Sequence, residues 1–178
     1  YRLTNGMAAK AAALGAKVHG QSPAETITRN GARWTVRTAK GSVTADRVVF
    51  CTNAYPTGIV PEFTKAFYPL TAYALTTKPL PADARAAIMP GRQTLAQVPI
   101  DLNPLVRDGG DRLILSSIPT VSSPEDAAWH FANQLDWLHH AWPQTRGMKI
   151  ELEAYWTGRV AMRDRQFPGV FELQPGLF

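Results

Sequence analysis

The sequence predicts an α+β fold: a mixed, mainly antiparallel sheet with one long helix, joined to a β-meander and a further strand from a second, incomplete domain. Three observations carry this. The pairs Asn30-Gly31 and Lys40-Gly41 are hairpin signals between short segments of alternating polarity. Residues 124–142 repeat apolar side chains at helical spacing. The run Val48, Val49, Phe50, Cys51 enters a small polar turn, Thr52-Asn53-Ala54, as a strand buried on both faces does at its C-terminal end.

In chain order, residues 4–14 (TNGMAAKAAAL) are alanine-rich and followed by Gly15, a short helix with a glycine stop. Residues 16–20 follow as a short strand. Segments 25–29, 32–38 and 42–45 form an antiparallel meander across the two turn signals and lead into strand 48–51. Residues 56–65 are a loop. Residues 67–77 (FYPLTAYALTT) carry enough aromatic and branched side chains for a long strand, which Lys78-Pro79-Leu80-Pro81 closes. Residues 82–88 make a helical turn, and strands are expected at 93–100, 105–107 and 112–117. The turn Asp108-Gly109-Gly110-Asp111 joins the last two. In the long helix, Ser123 is the expected N-cap, Pro124 the first helical residue, and Asp126 completes an approximate capping box. Ala128, Phe131, Leu135, Leu138 and Trp142 form its buried face, and Pro143 ends it. Strands at 149–156 and 169–173 complete the chain.

Composition narrows the function classes. With 178 residues, 45% hydrophobic and 19% charged, the chain is globular and can bury a real core. Its one cysteine, Cys51, permits no disulfide framework and fits a reducing, cytoplasmic setting. With no histidine nearby in sequence, Cys51 reads as a small buried hydrophobe rather than a nucleophile. No apolar run approaches a membrane span. The net charge of +5 raises nucleic acid as a partner, but the basic residues are dispersed and only Arg159, Arg163 and Arg165 cluster. Neither nucleic acid nor membrane is expected. His139 and His140 are adjacent, so they point apart and make a poor metal pair. Glu151 and Glu153 share one strand face, which suits paired acid–base carboxylates; a solvated outer face explains them more simply. No G-x-G-x-x-G loop precedes strand 48–51, and the chain reads as cut at both ends.

Several motifs occur in register: Leu14-Gly15-Ala16, then Gly41, Ala45-Asp46-Arg47-Val48-Val49, and Cys51-Thr52-Asn53-Ala54-Tyr55. Further along come Thr76-Thr77-Lys78-Pro79-Leu80, Gly110-Asp111-Arg112-Leu113-Ile114, Trp156-Thr157-Gly158, Pro168 and Pro175-Gly176-Leu177. In order and spacing this set resembles the D-amino-acid-oxidase-like family of FAD-dependent amine and amino-acid oxidoreductases. The Thr-Asn-Ala-Tyr and Trp-x-Gly-x-Val-Ala-Met elements are most similar to its gamma-glutamylputrescine oxidase branch, and the glycine–sarcosine oxidase type is close by.

The resemblance implies FAD as cofactor, with residues 1–55 as part of the FAD-binding domain, 56–158 as the substrate-binding domain, and 159–178 returning to the first. It implies that Thr52 and Asn53 pack near the adenine–ribose and pyrophosphate side, that Ala24 meets adenine through its backbone, and that Trp156 and Gly158 lie beside the isoalloxazine. Arg159 is the candidate clamp for a substrate carboxylate, since a guanidinium pairs with it through two hydrogen bonds. An aromatic that the family often places before the hairpin falls among Asn103, Pro104 and Leu105, and Asn103 is the candidate substrate contact there. The family's own arginine falls at Val160, its Gly-Gly at Ser116-Ser117, and a Thr and an Asp at Arg163 and Arg165. No catalytic acid or base is assigned. The implied chemistry is oxidation of a C–N bond of a small amine or amino acid by hydride transfer to flavin; a flavin-dependent demethylase of the sarcosine type is a further possibility, separable with N-methyl substrates. The partners implied are that substrate and further segments of the same polypeptide, without which this portion alone is expected to be inactive. The alternative is a non-enzymatic α+β interaction module with Trp129, Trp137 and Trp142 as exposed anchors.

Overall fold

The computed structural model describes residues 2–56, 58–96, 103–117, 122, 124–163 and 169–178. It divides into two compact units, Tyr1–Thr52 with Pro56–Thr64 and Pro168–Phe178, and Asn53–Tyr55 with Lys65–Phe167. The α+β class and the antiparallel sheets are as the sequence predicts.

In the first unit, helix α1 (Arg2–Ala13) stops at Gly15, whose φ of 97° only glycine adopts freely. Gly15 N–H donates to Ala12 O and Ala16 N–H to Ala11 O, the two bonds of a Schellman cap. Strands β1 (Thr26–Asn30), β2 (Arg33–Thr38) and β3 (Gly41–Ala45) form the meander, turning at Gly31-Ala32 and at Ala39-Lys40, so Gly41 opens β3 rather than sitting in the turn. Trp34 is its buried side chain, and the indole N–H donates to Pro175 O at 3.0 Å. That contact fixes a glycine at 176: a Cβ there would lie 2.6 Å from Asp46 O, and its φ is 82°. A four-residue helix, α2 (Pro61–Thr64), brings Phe63 to Phe50 with ring centroids 4.7 Å apart.

Four expectations fail here. Residues 16–20 form no strand, and neither do 169–173. Val48–Cys51 is not buried on both faces: Val49 is 62% exposed and Cys51 is exposed. A doubly buried strand needs a neighbour on each side and a layer on each face. Among the described residues this one has Gly176–Phe178 alone, bonded as a short parallel ladder (Val48 N–H to Gly176 O, Phe50 N–H to Phe178 O, Phe178 N–H to Val48 O). For the same reason Cys51 is not the buried hydrophobe its context suggested.

The second unit is a four-stranded antiparallel sheet ordered β5-β6-β4-β7, built from β4 (Tyr68–Thr77), β5 (Leu105–Arg107), β6 (Leu113–Ser117) and β7 (Leu152–Met162). One sheet face packs against helix α4 (Ala127–Ala141) and the short α3 (Ala82–Ala87). Leu75, Leu105, Leu113, Leu115 and Leu138 are fully buried there, each contributing about 1.5–3 kcal/mol of apolar transfer. Thr77, also fully buried, takes over where β4 and β6 stop pairing: its Oγ1 accepts from Leu113 N–H and donates to Lys78 O.

Helix α4 begins later than expected. Asp126 is its N-cap, accepting from Trp129 N–H at 3.2 Å, so Pro124 lies before the helix; Ser123 lies outside the described residues. Phe131 and Leu138 are buried as expected, Leu135 and Trp142 pack at the rim, and Ala128 is exposed. His130 and Gln134 share the buried stripe, although polar. His130 stacks on Tyr73 and donates from Nε2 to Pro124 O; Gln134 Nε2 donates to Tyr73 O and Ser117 Oγ. After Pro143, a 3-10 turn (Pro143–Thr145) buries Thr145, whose Oγ1 donates to Trp142 O and accepts from His139 Nδ1. The last strand starts three residues later and ends six later than the 149–156 expected. Of the strand at 93–100, Leu95 bridges Leu105, and 97–100 lie outside the described residues.

Candidate functional site: the open face of the sheet

Side chains alternate across a strand, so the register sorts the second unit's sheet into two faces. The pairs Tyr73↔Thr157, Leu75↔Tyr155 and Thr71↔Arg159 belong to the face under α4, where Tyr73 meets His130 and Phe131. The pairs Thr76↔Ala154, Ala74↔Trp156, Ala72↔Gly158 and Leu70↔Val160 belong to the other, with Ser116 opposite Ala74 and Ile114 opposite Thr76. On β7 that second face reads Ala154, Trp156, Gly158, Val160, Met162, with no charged side chain. Ala72, Ala74 and Gly158 lie together near its middle, and Ala154 adds a fourth small residue to the same face. Trp156 is 47% exposed beside them, so it is not a core aromatic.

Trp156-Thr157-Gly158 is therefore not the end of a strand, as its motif suggested, but the middle of β7, which continues to Met162. Arg159 projects from the opposite face to Trp156 and Gly158. Its backbone N–H donates to Tyr55 Oη at 2.7 Å and its carbonyl accepts from Asn53 Nδ2 at 3.1 Å. Asn53 Oδ1 also accepts from Ala161 N–H at 3.1 Å, so both ends of the Asn53 amide are engaged by β7. Asn103 is half-buried just before β5. Ala24, half-buried before β1, and Thr52, exposed, belong to the other unit. The structure thus brings together Trp156 and Gly158, sets Arg159 on the reverse face, and ties Asn53 to β7. Tyr55 and Asn53 as partners of the β7 backbone were not foreseen, because a side-chain to main-chain bond across about a hundred residues leaves no local pattern. Arg165 and Pro168 lie outside the described residues.

The other candidates resolve into structural roles. Glu151 is held by Lys78 at 2.6 Å and Lys149 at 2.5 Å; hydrogen bonds from Lys149 and then Lys78 lower its pKa from 4.5 to about 2. Glu153 pairs with Arg112 at 2.6 Å. The two carboxylates pair with separate cations rather than with each other, so they do not form an acid–base pair. An open groove of about 480 Å³ lies beside Glu151, lined also by Lys78, Pro81, Asp83 and Met148, and none of the expected site residues lines it. Tyr73 has its phenol pushed up, first by burial and then by Glu125 and Asp126. His139 serves the 3-10 turn, and no group of three or more metal-ligating side chains occurs among the described residues. Trp137 and Trp142 pack edge to face at 6.0 Å against the core; of the three helix tryptophans only Trp129, 48% exposed, is open enough to be an anchor.

The model of the family described as FAD dependent oxidoreductase (DAO) matches residues 1–178. The chain belongs to this family. It is 23% identical over 178 residues to the probable oxidoreductase OrdL of Rhizobium meliloti (strain 1021), covering 99% of this chain and 40% of that protein. In fold it is similar to glycine oxidase from Geobacillus kaustophilus, with a TM-score of 0.72 and 20% identity over 99% of this chain and 46% of that one. L-proline dehydrogenase from P. horikoshii is alike, with a TM-score of 0.71 and 19% identity over 98% of this chain and 47% of that one. The chain therefore spans less than half the length of these proteins. Among the described residues no helix is long and apolar enough to cross a membrane.

Family membership makes FAD the cofactor, and the open face has the character a flavin ring requires. It is uncharged along β7, and small residues (Ala72, Ala74 and Gly158) meet across its two long strands. Gly158 sits at a φ any residue adopts, and a Cβ there would meet only Tyr55 Oη, at 3.9 Å, an ordinary contact. The fold itself does not demand glycine at 158. A ring lying close against the backbone would.

Proposed function

We propose that this chain is the central part of a flavoprotein that oxidises a C–N bond of a small amine or amino acid, with the open face of β4 and β7 turned toward the flavin. The observation that carries this reading is the small, uncharged patch of Ala72, Ala74 and Gly158 beside the exposed Trp156, in a chain of the FAD-dependent family. FAD bound there supplies the hydride acceptor for the carbon next to nitrogen. This chain's residues supply the surroundings: Gly158 and the two alanines let a ring approach the backbone, and Trp156 shields it from water. Ala24 and Thr52 serve the adenine side of the cofactor, and Asn103 the substrate.

Within that class the geometry favours an amine over an α-amino acid. Arg159, the only arginine of β7, is on the face away from Trp156 and Gly158, and the residue in their row is Val160. β7 therefore offers the flavin side no guanidinium with which to clamp a carboxylate. In the complete polypeptide, turnover of primary and secondary amines is expected to exceed that of their α-carboxylated analogues by tenfold or more, about the worth of one charged hydrogen-bonded pair. Val160→Arg should narrow or reverse that preference. Equal turnover of both classes by the parent protein, or no effect of the arginine, refutes the assignment of the face.

A further inference from the structure

We infer that Asn53 and Tyr55 are positioning residues, a two-pronged clip that holds the outer edge of β7 in place behind Trp156 and Gly158. The inference rests on the flavin reading above for its purpose, but its geometry stands alone.

β7 is the edge strand of its sheet, so half of its backbone groups point away from β4. At 159 and 161 those outward groups are met by side chains from one turn. Asn53 Nδ2 donates to Arg159 O and Asn53 Oδ1 accepts from Ala161 N–H, each at 3.1 Å. This is the bond pair that one residue of a parallel strand makes with the residues flanking its partner, here made by a side-chain amide flanking Val160. Tyr55 Oη then accepts from Arg159 N–H at 2.7 Å. Three successive outward groups are thereby satisfied without any strand.

The turn is shaped for this. Asn53 has a φ of 50°, a left-handed conformation that asparagine tolerates better than most residues. Ala54 is 5% exposed and seats the turn, while Tyr55 lies along the strand with its hydroxyl 3.9 Å from where a Gly158 Cβ would be. An edge strand without glycine's neighbours pinned would be free to twist and bow. The clip acts within one residue of both Gly158 and Val160, the two positions whose backbone placement sets how closely a ring can lie on the open face.

The clip predicts a crossed pattern of amide exchange in the complete polypeptide, read residue by residue by NMR. Asn53→Ala should speed exchange of the Ala161 amide about five- to tenfold, the worth of one net hydrogen bond, and leave Arg159 protected by Tyr55. Tyr55→Phe should do the reverse. Asn53→Asp, which keeps an acceptor for Ala161 N–H, should restore Ala161 protection. The visible flavin spectrum or the flavin reduction potential should shift in Asn53→Ala and stay unchanged in His140→Ala, an exposed helix residue. Unchanged exchange in Asn53→Ala and Tyr55→Phe overturns the clip. Altered exchange with an unaltered flavin overturns its positioning role. A parent protein without flavin sinks the functional reading instead, while the exchange pattern still decides the clip.

Discussion

The two units differ in what their apolar patterns achieve. Around β4 and β6, the leucines at 75, 105, 113 and 115 are fully buried, because α3 and α4 cover the face from which they project. In the other unit, Leu3 and Met7 of α1 and Leu14 just after it are 65–77% exposed and Val49 is 62% exposed, although the sequence around them is as apolar. Patterning specifies which way a side chain points; burial requires a second layer, and only one unit has its own among the described residues. The second face of β4 and β7 is a third case, uncharged along β7, with Trp156 exposed and Ala72, Ala74, Gly158 and Val160 half-buried.

That contrast has energetic consequences. Leu115 lies between β5 and β4 with no exposed surface, so Leu115→Ala should cost about 2–5 kcal/mol, lowering the urea midpoint of unfolding markedly. Leu3→Ala, with the same chemistry removed, should change stability by no more than about 0.5 kcal/mol if α1 is as open in solution. A large effect at Leu3 would mean that α1 has a covering layer, as it would if the remainder of a longer polypeptide packs on it.

A smaller effect concerns charge. Glu151 is held by Lys149 and Lys78, and its folded pKa, about 2, is below its ordinary 4.5. A depressed carboxylate stabilises the fold above its unfolded pKa and loses that contribution as pH falls toward its folded value. The unfolding midpoint should therefore decline between about pH 5 and about pH 2, and Glu151→Gln should remove part of that decline. The pair is largely exposed, so the change is expected to be small. An identical pH profile in Glu151→Gln would show that the lysines do not hold the carboxylate in solution.

Much of the architecture was legible before the structure. The meander, its two turns, strand β4, the hairpin at 108–111 and helix α4 all follow from local pattern. The failures concern which partner a residue meets, a matter local pattern leaves open. Strand 48–51 looked buried because four apolar residues in a row usually are, yet its layers are not in this chain's described residues. Helix α4 looked capped at Ser123 by residue type, whereas Asp126 makes the bond. Gln134 and His130 broke the helical stripe because they serve backbone acceptors at Tyr73 and Pro124, which no periodicity reveals. The site was legible only through the family motif, which located Trp156 and Gly158 but not the face each residue takes. Register supplied that, separating Arg159 from its neighbours.

Flavin retention decides whether the Gly158 side of β7 lies against FAD. The complete polypeptide containing this chain should be purified as wild type, Gly158→Val and Arg159→Ala, and its visible flavin absorbance measured per mole of folded protein, with circular dichroism confirming the fold. The parent should carry flavin, Arg159→Ala should keep it, and Gly158→Val should fold but lose it or hold it more weakly. A folded Gly158→Val protein with full flavin content and an unaltered spectrum would contradict that placement.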